Sequence, residues 1–133
     1  MPRSFKLKPL INDALDNISS FRQEYENSLS SEDPENEIDD SYHSFVENLH
    51  RNLEDFQDYR NHQLNEDDPK CVKDEMLESI VSSIFNIEEN ESILERSERV
   101  QQIQNALFWD AIKDIEGQLQ YLDEEVEKLK LDD

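Results

Sequence analysis

The stretch FWDAIKDIEGQLQYLDEEVEKL, residues 108–129, decides the fold. Phe108, Ile115, Leu122 and Leu129 recur every seven residues, and Ile112, Leu119 and Val126 interleave at the alternating spacing of three and four. Apolar residues in that register form the a/d stripe of a helix that packs along a partner helix. Reading back toward the N-terminus, no proline interrupts the pattern as far as Ser92, and Gly117 is the only glycine in the chain. Ser92 and Glu95 have capping-box spacing, which predicts a single helix over residues 92–131. Such a helix would be ~60 Å long. Val100, Ile103 and Leu107 sit on a different phase, so a bend or a change of partner is expected between Asn105 and Trp109.

Three shorter amphipathic segments precede it. Ile11, Ile18 and Tyr25, with Ala14, Leu15, Phe21 and Leu29, predict a helix from Pro9 to Ser28. Tyr42, Phe45, Val46, Leu49, Leu53 and Phe56 predict a second from Ser41 to Leu64. The third, from Pro69 to Ile87, carries Val72, Met76, Leu77, Ile80, Val81, Ile84, Phe85 and Ile87, the widest apolar stripe of the set. Asp68 before Pro69 reads as an N-cap followed by proline at the first helical position. SSEDPENEIDD, residues 30–40, holds six carboxylates and no base, and reads as a solvated acidic loop. No segment alternates with the period of a strand. The expectation is an all-α, four-helix bundle-like single domain over residues 1–133, with a basic N-terminal tail over 1–8 and a long C-terminal helix carrying coiled-coil heptads.

The charge balance narrows the partners. The chain has 34 Asp and Glu against 13 Lys and Arg, a formal net charge of -21 on 133 residues. Nucleic acids and anionic membranes are polyanions, so direct binding to either is disfavoured, and a basic protein surface is favoured. Cys71 is the single cysteine, which excludes an internal disulfide and fits a reducing compartment, cytoplasm or nucleus. MPRSFKLKPL, residues 1–10, lacks the apolar core of a signal peptide, so an intracellular, non-secreted location is expected. No run approaches the ~20 apolar residues of a membrane span.

Candidate chemistry is sparse. Glu47 and His50 form E-x-x-H, with His43 and Glu54 close to the same face, the spacing at which helical side chains share a metal. Only one copy is present and the third and fourth segments contain no histidine, so the motif reads as an exposed polar face. His62 falls near a helix C-terminus, where the dipole favours it. Cys71 lies beside Lys70 and near Lys73, cations that lower a thiol's pKa, but no histidine is close. Ser30 and Ser31 precede an acidic run and are candidate phosphorylation sites. There is no Gly-rich phosphate loop, EF-hand, H-E-x-x-H or G-x-S-x-G pattern. No catalytic, cofactor-binding or metal residues are assigned, and the chain is read as non-enzymatic.

The remaining features point to protein–protein interaction. Helices of roughly 20 residues would leave part of the long seam uncovered, so Phe108, Ile112, Ile115, Leu119, Leu122, Val126 and Leu129 are expected to bind a partner helix or a second copy. Trp109 points partly away from that stripe and is a candidate interface anchor. Glu32, Asp33, Glu35, Glu37, Asp39, Asp40, Glu88, Glu89 and Glu91 form the candidate acidic surface. Residues 23–50 and 74–95 contain no Lys or Arg and hold nine and seven carboxylates. The chain therefore reads as a helical subunit or adaptor of a larger assembly. The alternative is an acidic decoy, a DNA-mimic-like inhibitor or chaperone of a basic nucleic-acid-binding protein.

Overall fold

The computed structural model describes residues 6–65 and 72–129. Among them the chain forms five helices and no strand: α1 Leu7–Ser28, α2 Pro34–Asn65, α3 Asp74–Ile93, α4 Arg96–Ile103 and α5 Ala106–Leu129. The all-α expectation holds, and the element boundaries differ from the sequence reading in four places.

The first is the N-terminus. Lys6 is extended and α1 begins at Leu7, with Pro9 in the first turn, where its missing N–H leaves no helical bond unmade. Leu7 is buried and Lys8 is helical, so neither belongs to the tail expected over 1–8, whose residues 1–5 lie outside the described ones. Leu7, Ile11, Ala14, Ile18 and Phe21 then face the core at steps of three and four. Full burial of each Leu, Ile or Phe side chain contributes ~1.5–3 kcal/mol.

The second is the acidic segment. Residues 30–33 make the turn after α1, and α2 starts at Pro34, so most of the expected loop over 30–40 is helix. Asp33 Oδ1 accepts the Asn36 backbone N–H at 3.4 Å, and Pro34 takes the first helical position. Glu35 and Glu37 lie in the first turn, where carboxylates suit the helix dipole. The helix therefore gains seven residues at its start relative to the reading from Ser41 and runs for 32 residues, ~48 Å.

The third is the start of α3. Val72 and Lys73 are non-helical and the helix begins at Asp74; Asp68, Pro69 and Cys71 lie outside the described residues. Val72 is buried and held by Gln63 of α2, whose side-chain amide donates to the Val72 carbonyl at 2.9 Å and accepts the Val72 N–H at 3.2 Å. One amide thus satisfies both backbone groups of a buried residue that has no helix to satisfy them.

The fourth is the long C-terminal helix, which is divided. Ser92 belongs to α3, Leu94 is extended, and the N-cap of α4 is Glu95, whose backbone N–H is accepted by Glu98 at 3.3 Å. The capping box is Glu95–Glu98 rather than Ser92–Glu95. A second break falls at Gln104 and Asn105, inside the region where the apolar phase changes. Asn105 Oδ1 accepts the Leu107 N–H at 2.9 Å and opens α5, while Trp109 Nε1 donates to the Ile103 carbonyl at the end of α4 at 2.6 Å. The division lets Val100 and Ile103 reach the core on their own phase.

α1 packs on α2 and α5, and α3 packs on α2 and α5, so the four longer helices meet in the cyclic order α1, α2, α3, α5; α4 lies against α2 and α5. Ion pairs give the direction of the neighbours. Lys8 meets Glu127 and Arg22 meets Glu116, while Arg60 meets Asp74 and His43 meets Glu91, so both pairs of helices run antiparallel. At the centre, Phe21 stacks on Phe45 with ring centroids 4.3 Å apart and contacts Tyr42, Phe108 and Trp109. Such aromatic pairs add about 0.5–1.5 kcal/mol each beyond area burial.

Candidate interaction surface

The heptad residues of α5 face inward. Phe108, Ile112, Ile115, Leu119, Leu122 and Val126 are between 0% and 5% exposed, and Leu129 is partly buried against the same core. The seam expected to bind a partner is closed by α1 and α3 of the same chain. The length mismatch that suggested an uncovered seam disappears because α5 has 24 residues, not forty, and α1 and α3 have 22 and 20. Trp109 is likewise not an exposed anchor. It is partly buried, its ring contacts Phe21, Tyr25 and Phe108, and the Arg22 guanidinium lies 5.8 Å from its centroid.

The acidic residues separate into two groups. Asp39 is buried and accepts from Nε and Nη2 of Arg99 at 2.9 and 3.3 Å, while Arg99 Nη1 donates to the Leu94 carbonyl at 2.6 Å. Hydrogen bonding to Arg99 holds the Asp39 carboxyl below the usual carboxylate range, against the opposing effect of burial. Glu91 lies 3.0 Å from His43 Nδ1, and Glu88 lies 2.8 Å from His50 Nδ1. Asp39, Glu88 and Glu91 are therefore structural partners between helices, not open surface. Glu32, Asp33, Glu35, Glu37, Asp40 and Glu89 are exposed.

The outward stripe of α2 was not isolated by sequence reading. Asp33, Glu37, Asp40, Ser44, Glu47, Arg51, Glu54 and Asp58 follow at steps of three and four, and all are exposed. They share one face of the helix. With Asp33 at the cap, six carboxylates and one cation thus follow one line, five of the carboxylates along ~32 Å of α2 at 1.5 Å per residue. The signal was present as helical periodicity of charge, but the start assigned at Ser41 cut its first half into a loop.

On the flank of α2 that faces α1, Asp55 is crowded. Burial raises its pKa first, and the charges of Asp13, Asp58 and Glu54 raise it further. Elsewhere three arginines are bound within the chain: Arg22 by Glu116, Arg60 by Asp74 and Arg99 by Asp39. Hydrogen bonding to these carboxylates raises the pKa of all three guanidinium groups.

Glu47 and His50 of the E-x-x-H motif border one hollow with His43, Glu88 and Glu91. His50 Nε2 lies 2.7 Å from Glu54 and its other nitrogen faces Glu88, while Glu47 is exposed. Among the described residues no group of three His, Cys, Asp or Glu side chains is placed to hold a metal ion. His62 sits in the last turn of α2, and Cys71 lies outside the described residues. Ser30 Oγ donates to the Asn27 carbonyl at 3.2 Å in the turn after α1, and Ser31 Oγ is buried there without a partner. No helix among the described residues is long and apolar enough to cross a membrane. Comparison with protein-family models, with curated proteins and with solved structures finds no match.

Proposed function

We propose that this chain is a non-enzymatic protein–protein interaction module, a four-helix bundle that docks on a basic protein surface through the outward face of α2. The observation that carries this reading is the stripe of six exposed carboxylates with Arg51 as its only cation. A rigid helix presents those charges in fixed register, so association pays little ordering entropy. The field of a chain with net charge -21 steers a cationic partner to it and repels a second copy. With the apolar seam closed inside the chain, charge complementarity is the recognition chemistry that α2 offers.

The decoy reading uses the same face, and charge density ranks it second. The stripe carries about one carboxylate per 6 Å of helix axis, whereas duplex DNA carries one phosphate per ~1.7 Å. A surface this sparse suits a basic patch on a protein better than a cleft built for a duplex.

The test is capture of proteins from a nuclease-treated lysate on the tagged chain, with washes at low and high salt. Basic proteins retained at low salt and released at high salt support the proposal. Partners whose retention is unchanged by salt would overturn it.

A further inference from the structure

α3 and α5 form the loosest neighbouring pair of the four longer helices and leave a groove between their outer edges. Gln118 bridges it, accepting from Ser79 Oγ at 2.8 Å and donating to Ser83 Oγ at 3.2 Å and to Asp114 at 3.0 Å. On one side of this rung lies a hollow of about 520 Å³ where Met76, Gly117 and Tyr121 are bordered by Glu75, Lys113 and Asp114. On the other lies one of about 500 Å³ lined by Ser83, Asn86, Asn90, Gln102, Leu107 and Ala111, with Asp114 as its only charged wall residue among the described residues. In a chain that is 35% charged, this second hollow, unlike the first, is locally depleted of charge in the way interface cores are. Leu107 is 74% exposed and Tyr121 is 55% exposed at the two ends of the groove.

Gly117 points the same way. Glycine weakens a helix interior, and a Cβ placed at residue 117 would meet no atom within 4 Å. Nothing inside the chain requires the absence of a side chain there, whereas a helix laid in the groove approaches most closely over a glycine.

We infer that the α3/α5 groove docks an amphipathic helix of another protein, with an apolar stripe of small and aliphatic residues flanked by Lys or Arg. Three features select this occupant. The groove runs from Glu75 to Asn90, ~22 Å at 1.5 Å per residue, which is the length of a helix of about four turns. Met76, Gly117 and Tyr121 on one side of the Gln118 rung and Leu107 and Ala111 on the other supply apolar or small contacts along it, the match for an i, i+3, i+4, i+7 stripe. Its rims carry Glu75, Asp110, Asp114 and Glu124 against Lys113, and Lys128 further along is tied to Glu125 at 3.5 Å. A second copy of this chain would bring another -21 charges to those rims, so the occupant is a cationic helix and not a twin. α2 and α5 are diagonal in the packing order, so this surface is separate from the α2 stripe and stands without it.

The test uses the full chain, isotopically labelled for backbone NMR, and a synthetic peptide of about 16 residues with a Leu/Ala stripe flanked by lysines. A peptide of identical composition with the stripe scrambled is the control. The striped peptide is expected to bind at least tenfold more tightly than the control and to shift Ser83, Ala111, Gly117 and Gln118. Gly117→Leu and Leu107→Gln, both at exposed positions and both expected to stay folded, should each weaken it at least fivefold. Equal binding of the two peptides, shifts centred on Asp33–Asp58, or unchanged affinity of both variants would overturn the inference while leaving the α2 reading intact. Light scattering that finds a dimer of the free chain, dissolved by Gly117→Leu, would assign the groove to a second copy and overturn it as well.

Discussion

Asp39 and Asp40 are adjacent in sequence and opposite in role, and replacing each with alanine separates the roles. Asp39 is buried and accepts from Nε and Nη2 of Arg99 at 2.9 and 3.3 Å. Removing one member of a buried pair strands the other, which costs about 3–5 kcal/mol where the stranded charge is fully enclosed. The Arg99 side chain is 15% exposed and keeps its bond to the Leu94 carbonyl, which brings the expected cost of Asp39→Ala to roughly 2–3 kcal/mol. At about 4 °C per kcal/mol for a chain of this size, thermal unfolding followed by circular dichroism should fall by roughly 8–12 °C. Asp40 is exposed, so Asp40→Ala should change stability by no more than about 0.5 kcal/mol, and relief of self-repulsion favours a gain. Because the folded-state pKa of Asp39 lies below its ordinary 3.8, the pair stabilises the fold fully above that value and the contribution drains away as the pH falls through the folded-state value. The gap between wild type and Asp39→Ala should therefore narrow at the acid end. Equal effects of the two substitutions at neutral pH would refute the reasoning, and so would a gap that is constant down to pH 2.

Three further substitutions probe the same account. The Tyr42 hydroxyl is buried without a hydrogen-bond partner and burial raises its pKa, so Tyr42→Phe should leave urea stability unchanged or raise it by up to about 1 kcal/mol; a loss beyond that range would reveal a partner for the hydroxyl. Asp55 has its pKa raised by burial and by Asp13, so its charged form works against folding at neutral pH. Asp55→Asn should raise the melting temperature at pH 7 and lose that advantage as the pH falls below the carboxylate range, and a drop at pH 7 would contradict the crowding. Gly117→Ala should stabilise the free chain by about 0.5–1 kcal/mol, and a destabilisation in chemical denaturation would mean the glycine has a packing role.

Much of the fold was legible because burial of apolar stripes is written in periodicity. The stripes of Ile11 to Phe21, Tyr42 to Phe56 and Phe108 to Val126 are the buried faces of α1, α2 and α5. Which stripe meets which was not legible, since a heptad seam looks the same whether its partner is in another chain or in this one. Helix length decides between them here, and length was misread at two caps. Asp33–Pro34 carries the Asp-Pro signal that was expected to open the third helix at Asp68–Pro69, where α3 instead begins at Asp74, and the surrounding carboxylates make it read as loop. The break at Gln104 and Asn105 uses neither glycine nor proline; it rests on the Asn105 side chain and on Trp109 reaching back to Ile103, contacts that follow from tertiary packing. The Asp39–Arg99 pair joins residues sixty apart in sequence, and no local pattern announces it. The acidic face of α2 was half legible: its charge was counted, but its register appears only once the helix starts at Pro34.

The most direct measurement is side-by-side capture from the same nuclease-treated lysate by wild type and by the triple variant Glu37→Lys, Asp40→Lys, Glu47→Lys, with folding of both checked by circular dichroism. All three positions are exposed, so the variant should fold as wild type does. The account predicts that the salt-sensitive basic partners of the wild type are lost from the variant. The same partners retained by the folded variant would contradict it.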